Sequence, residues 1–195
     1  MDLEKVVLDA FEESVSVKEK FVKIYSKQIT DLSYKIAERI KKGGGVFFMG
    51  NGGSAADAAH LSAELVGRFY MNRSPIRSSS FASNLSILTE IPNDFGFEYL
   101  FERQVEAYVK GMDVVVGIST SGKSVNVIRA LKKAKEIGAL TVGFTGRYGQ
   151  EMENVCDVLF KVDSERTPRI QETHILLGHT LCQLIEYLLF GDGKS

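Results

Sequence analysis

His60 and Glu64 stand four residues apart in a stretch rich in small side chains, Ala55, Ala58, Ala59 and Ser62. With Asp57 and Arg68 they form one polar stripe at helical spacing. An imidazole and a carboxylate one turn apart can ligate a metal ion or act as an acid–base pair. The plainer alternative is a solvated helix face. Because a small-residue helix embeds closely in a domain, the stripe is expected to face a cleft. A second helical stretch near the C-terminus is apolar almost all round, with Ile170, Leu177, Leu181, Leu184 and Leu188, yet carries Gln171, Glu172, His174, His179 and Glu186. Polar groups in such a helix must be satisfied or used. His174 is read as a hydrogen-bonded core residue.

Two loops could hold an anion beside these groups. Gly50-Asn51-Gly52-Gly53-Ser54 follows the apolar run 46–49 and opens the His60 helix. Glycines let backbone turn sharply and approach a ligand, and a helix start offers unpaired N–H groups. The string also fits a dinucleotide fingerprint as Gly50-x-Gly52-x-x-Ala55. However, the next strand ends in Ser78-Ser79-Ser80-Phe81-Ala82-Ser83, without the carboxylate that would hold a ribose, so a dinucleotide site is rejected. Gly117-Ile118-Ser119-Thr120-Ser121-Gly122-Lys123-Ser124 matches the P-loop spelling. No downstream apolar strand ends in a Mg²⁺-binding Asp, since Lys161 interrupts 159–163. Its hydroxyls, on Ser119, Thr120, Ser121 and Ser124, can instead donate to a monophosphate without a nucleotide. Glu64 lies ten residues beyond Ser54, about 15 Å along a helix axis, and helical side chains lean back toward the N-terminus. Its carboxylate could therefore approach a short chain whose phosphate sits at the loops.

The elements needed to position these groups follow from the hydrophobic pattern. Runs at 46–49, 76–81, 114–118, 140–144 and 158–162 read as strands. Helical patterns at 54–67, 84–91 with 97–109, 123–137, 150–155 and 170–190 separate them, which implies βαβ crossovers and a parallel sheet. Residues 2–42 read as two helices, the second starting after Thr30 as a cap. Their apolar stripe (Leu3, Val7, Ala10, Val17, Phe21, Ile24) is expected to pack on the domain's own sheet or on another subunit. The 195 residues suit a single domain. A balance of 24 basic and 25 acidic residues, net −1, lacks the excess of a nucleic-acid binder. Cys156 and Cys182 form no CxxC pair, so no disulfide framework or four-thiolate zinc site is expected. With no basic leader and no apolar run of about 18 residues, a soluble cytoplasmic protein without a membrane partner is expected.

Taken together, five stretches resemble the sugar isomerase (SIS) family over nearly the whole chain. They are the loop Gly50 to Ser54, Asp57-x-x-His60-x-x-x-Glu64, and Ser86-x-Leu88-Thr89-x-x-x-Asn93-Asp94. The others are Ser119-Thr120-Ser121-Gly122-x-Ser124 and Arg169-Ile170-Gln171-Glu172-x-His174-x-x-x-x-His179. The resemblance implies an α/β fold, a three-layer αβα, flavodoxin-like parallel sheet formed by a single SIS domain over 1–195, with N-terminal helices in oligomer packing. It implies a cytoplasmic homotetramer that converts sedoheptulose 7-phosphate to D-glycero-D-manno-heptose 7-phosphate through an enediol, at the start of bacterial heptose synthesis for lipopolysaccharide or other glycans. By the same resemblance Ser54, Ser119, Thr120, Ser121 and Ser124 surround the phosphate. Asn51, Gly52, Gly53, Asn93, Asp94 and Gln171 line the sugar. Glu64 and His179 are the acid–base pair, and His60, Glu64, Gln171 and His179 are zinc ligands. Gln171 and His179 are eight residues apart, about 12 Å on an ideal helix, so one ion could join them only if side chains reach, the helix deviates or subunits share the site. Two positions depart from the family's habit: Thr167-Pro168-Arg169 stands where some members have an acidic residue, and Phe95 where Tyr is common. The rival readings are a non-catalytic branch of this family that binds a replication initiator, an isomerase of another sugar phosphate, and a P-loop NTPase.

Overall fold

The five short apolar runs become one parallel sheet in the computed structural model of the protein, which describes residues 1–191. Strands β1 (Val46–Gly50), β2 (Ser78–Ser80), β3 (Val114–Ser119), β4 (Leu140–Gly146) and β5 (Val158–Val162) lie in the order β2-β1-β3-β4-β5. All four pairings are parallel. β1, β3 and β4 are buried along their whole length, as continuous apolar strands covered on both faces must be. The strand order reverses between β1 and β3, so the loops leaving their carboxyl ends diverge there and open a crevice, the usual ligand position in such sheets. Both candidate anion loops therefore stand side by side.

Alternation along β1 divides the interior into two layers. Val46 and Phe48 join a core with Ile36 of α1 (Leu3–Lys41), Leu61 of α2 (Gly53–Val66) and Leu181 of α7 (Thr167–Phe190). Phe47 and Met49 point the other way, toward Phe101 of α4 (Leu100–Tyr108) and Leu131 of α5 (Val125–Ile137). The short α3 (Leu85–Phe95) and α6 (Gln150–Glu153) complete a three-layer αβα architecture. No helix among the described residues is long and apolar enough to cross a membrane.

The expected N-terminal pair of helices is instead one helix of 39 residues. Neither Gly nor Pro occurs between Leu3 and Lys41, so nothing breaks the backbone ladder. Thr30, expected as a cap, sits mid-helix and returns its hydroxyl to the Ser26 carbonyl at 3.1 Å. The real N-cap is Asp2, which accepts from the Lys5 N–H. Burial along α1 begins at Phe21 and continues through Ile29, Leu32 and Ile36, whereas Leu3, Val7 and Phe11 are each more than half exposed. Glu172 of α7 ties down the first half by accepting from Ser14 Oγ at 2.6 Å.

Helix α7 satisfies its interior polar groups only in part. His174 is fully buried, with Nε2 3.2 Å from the Thr145 carbonyl and Nδ1 without a partner. Burial pulls its pKa down to about 4, against a smaller opposing effect of the Thr145 bond. An unfolded histidine titrates near 6.5. Between these values the unfolded chain takes up a proton that the folded chain refuses, so folding weakens as pH falls through this window and recovers above it. Urea unfolding at stepped pH should show the difference in stability between wild type and His174→Gln shrinking from pH 6.5 toward 4.

Candidate active site

Each anion loop is built from a strand end, a tight turn and an uncapped helix start. Residues 51–52 link β1 to α2, whose N-cap is Gly52 with no side-chain cap bond. Residues 120–124 link β3 to α5, again without a side-chain cap bond. Gly122 has φ +67°, and a Cβ there would come within 2.3 Å of the Gly149 Cα, so only glycine closes this turn. The hydroxyls of Ser119 and Ser124 meet at 2.8 Å, and Ser121 Oγ accepts from the Lys123 N–H. The first glycine of the P-loop spelling, Gly117, lies inside β3, paired with Met49 and Gly143. What remains is a short turn rather than a phosphate-wrapping loop of P-loop length.

The two loops are joined by a pair missed in the sequence. Asn51 and Asn126 exchange side-chain amide bonds, each Nδ2 donating to the other's Oδ1 at 2.9 Å. Asn126 is buried at the first turn of α5. The available signal was an asparagine between Val125 and Val127, a polar residue with no obvious surface to face. Asn51, expected to line a sugar, thus spans the two loops instead of standing free. Beside the second loop a cavity of about 240 Å³ is lined by Thr120, Ser121, Lys123, Arg147 and Thr167 among others. Arg147 is held there by Asp163 at 2.7 Å and Glu165 at 3.0 Å.

Helices α2 and α7 run side by side in matching register. The Cβ position of Gly53 is 2.5 Å from Gln171 Nε2, and that of Gly178 is 2.4 Å from Leu61 Cδ1. One step along, His60 Nε2 and His179 Nε2 are 2.8 Å apart, with rings near perpendicular at 74°. His60 Nε2 also lies 3.3 Å from Glu64 Oε1. Donor atoms of His60, Glu64 and His179 all fall within 4.8 Å of one another. Facing nitrogens at that distance must share a proton or a cation, and two imidazoles with a carboxylate form a donor set suited to zinc. The residues present therefore fit a metal. Burial, then the neighbouring His60, lowers the His179 pKa, while Glu64 opposes both. Asp57, one turn earlier, has one carboxylate oxygen buried without a partner, and burial raises its pKa against the pull of His60.

The remaining expected residues are dispersed. Gln171 packs on Gly53, and its backbone lies two turns of α7, an axial rise of about 12 Å, before that of His179. Ser54 is buried at the start of α2. Asn93 and Asp94 are exposed at the end of α3 and bond to each other at 2.7 Å; α3 packs chiefly on α4 and the turn before it.

The profile of the SIS domain family matches residues 11–146. Phosphoheptose isomerase from Aquifex aeolicus is 51% identical over 187 residues, covering 96% of this chain and 97% of that one. A solved phosphoheptose isomerase from Neisseria gonorrhoeae superposes with a TM-score of 0.89 at 38% identity, covering 95% of this chain and 99% of the other. Another from Francisella tularensis gives 0.91 at 28% identity, over 95% and 98%.

The Asn51–Asn126 exchange makes a measurable claim. Replacing either residue by Ala leaves the other amide unpaired and should cost about 1–3 kcal/mol. In a double-mutant cycle by urea unfolding, the double variant should lose clearly less than the two single losses added.

Proposed function

The chain belongs to the SIS domain family and, within it, to the phosphoheptose isomerases, and on that premise we propose that it interconverts sedoheptulose 7-phosphate and D-glycero-D-manno-heptose 7-phosphate. The observation that carries this reading is the meeting of His60, Glu64 and His179 across α2 and α7, with α2 starting at the glycine loop. Moving a carbonyl between neighbouring carbons needs a base to take a carbon-bound proton and return it to the adjacent carbon. It also needs an acid to exchange protons with the two oxygens. In this reading Glu64 carries the carbon proton through an enediol, and His179 serves the oxygens. A carboxylate and an imidazole suit those tasks near neutral pH.

Ser54, Ser119, Thr120, Ser121 and Ser124 hold the phosphate through hydroxyls and helix-start N–H groups. Gly52, Gly53, Gln171, Asn93 and Asp94 orient the sugar, with Asn51 bracing the loops. Zinc, held by His60, Glu64 and His179, would supply Lewis-acid polarisation of the sugar oxygens. Gln171 is assigned to the sugar rather than to the same chain's metal, because of its distance along α7. No nucleotide takes part. The enzyme is further proposed to be a cytoplasmic homotetramer serving heptose synthesis. Support for self-association comes from the exposed apolar residues of α1, Leu3, Val7 and Phe11.

Assays across sedoheptulose 7-phosphate, fructose 6-phosphate and ribulose 5-phosphate should show turnover of the first. Glu64→Gln should lose about 10²–10⁴-fold in kcat while inorganic phosphate still binds by calorimetry; near-normal turnover sinks the assignment of the base. Chelator-treated enzyme should lose activity and regain it with Zn²⁺. Full activity in metal-free protein, checked by elemental analysis, would remove the metal from the reaction.

A further inference from the structure

Beyond the cluster itself, the loop that leaves α2 is wrapped around a single buried carboxylate from α7. Glu186 is fully buried and accepts four bonds on its two oxygens. Oε1 takes the Tyr70 N–H at 2.7 Å and the Met71 N–H at 2.6 Å. Oε2 takes the Phe69 N–H at 3.0 Å and Arg73 Nε at 2.8 Å. Three successive backbone N–H groups thus converge on an internal anion, the arrangement by which a backbone nest binds an external one. Burial alone would raise the Glu186 pKa, but these donors outweigh it and hold the carboxyl below the ordinary glutamate range.

Arg73, whose side chain is 1% exposed, spends its remaining donors on the end of α2. Nη2 donates to the carbonyl of Glu64 itself at 2.9 Å, and Nη1 to those of Leu65 at 2.8 Å and Gly67 at 3.2 Å. A cation on the last carbonyls of a helix satisfies orphan acceptors and suits the dipole. Glu186 lies seven residues past His179 on the same face of α7. Between the two, the Phe69 ring packs 5.8 Å from the His179 ring, tilted by 42°. A buried ion pair stabilises little more than an apolar pair of the same volume, but its fixed donors and acceptors permit one arrangement of the parts it joins.

We propose that Glu186 and Arg73 are positioning residues, which clamp the end of α2 to α7 and press Phe69 against His179, so that the spacing of His60, Glu64 and His179 is set from behind. The inference rests on the functional reading of that cluster, and its test separates the two. Phe69→Leu removes the ring and leaves the clamp. Arg73→Lys keeps the charge and loses the fork. Glu186→Gln puts an amide among donors. Val105→Ala, on the buried side of α4 in the opposite layer, supplies a chain destabilised without touching these parts.

For each purified variant, circular dichroism and thermal unfolding report the fold, Co²⁺ titration reports the affinity and absorption spectrum of the cluster, and steady-state kinetics separate kcat from KM. Phe69→Leu and Arg73→Lys should stay folded, bind Co²⁺ about 10–100-fold more weakly with an altered spectrum, and lose a similar factor in kcat with KM little changed. Val105→Ala should change only the thermal midpoint. Wild-type Co²⁺ affinity and spectrum in folded Phe69→Leu and Arg73→Lys would overturn the proposal. So would Co²⁺ losses in Val105→Ala matching its loss of stability. If the wild type turns over no sugar phosphate, the functional reading fails while the Co²⁺ measurements still decide the clamp.

Discussion

Helix α2 approaches α7 so closely that no side chain fits at Gly178, whose Cβ would collide with the buried Leu61. This contact sets the register of the two helices, and with it every pairing between them. Gln171 falls on the glycine loop, and His179 falls on His60 one step further along. The same register brings Glu186 to the loop beyond α2. Were the helices held apart by one methyl group, the imidazoles would no longer be 2.8 Å from each other. The arrangement is set by close packing, which leaves little room for a compromise spacing.

The sheet makes the second contribution. Because β1 and β3 are neighbours while their crossovers leave on opposite faces, the loop into α2 and the loop into α5 emerge together. The Asn51–Asn126 exchange then binds them directly. In the proposed function, anion recognition at this crevice would rest on hydroxyls, turn geometry and helix starts. Such donors would let a chain of net charge −1 hold a phosphate without a basic surface. Arg147 beside the crevice is committed to Asp163 and Glu165.

Much of this was legible in the sequence because it depends on local rules. Apolar runs of strand length, the glycine string, and the four-residue spacing of His60 and Glu64 each declare an element or a face without reference to anything distant. Five strands, their parallel arrangement and the two loops followed from those patterns. The N-terminal region shows the limit. Its polar Thr30 looked like a cap, but a threonine can return its hydroxyl to the preceding turn as readily as it can start a new helix. The chain between Leu3 and Lys41 has no residue that forces a break.

The sequence by itself determined the layers, the crossovers and the chemical types at the site, since periodicity and turn chemistry are properties of neighbouring residues. Only the tertiary structure decided which of those types meet. His179 meets His60 and Glu64 while Gln171 lies against Gly53, because packing at Gly178 fixes how far α7 slides along α2. Asn51 reaches Asn126, 75 positions away, because the strand order makes β1 and β3 adjacent. Glu186 already stood out as a polar group in an apolar helix, but Arg73 reads as an ordinary charge on a loop until the fold buries both and pairs them. Contacts of that kind are set by the free energy of the whole packed interior, which no local pattern carries.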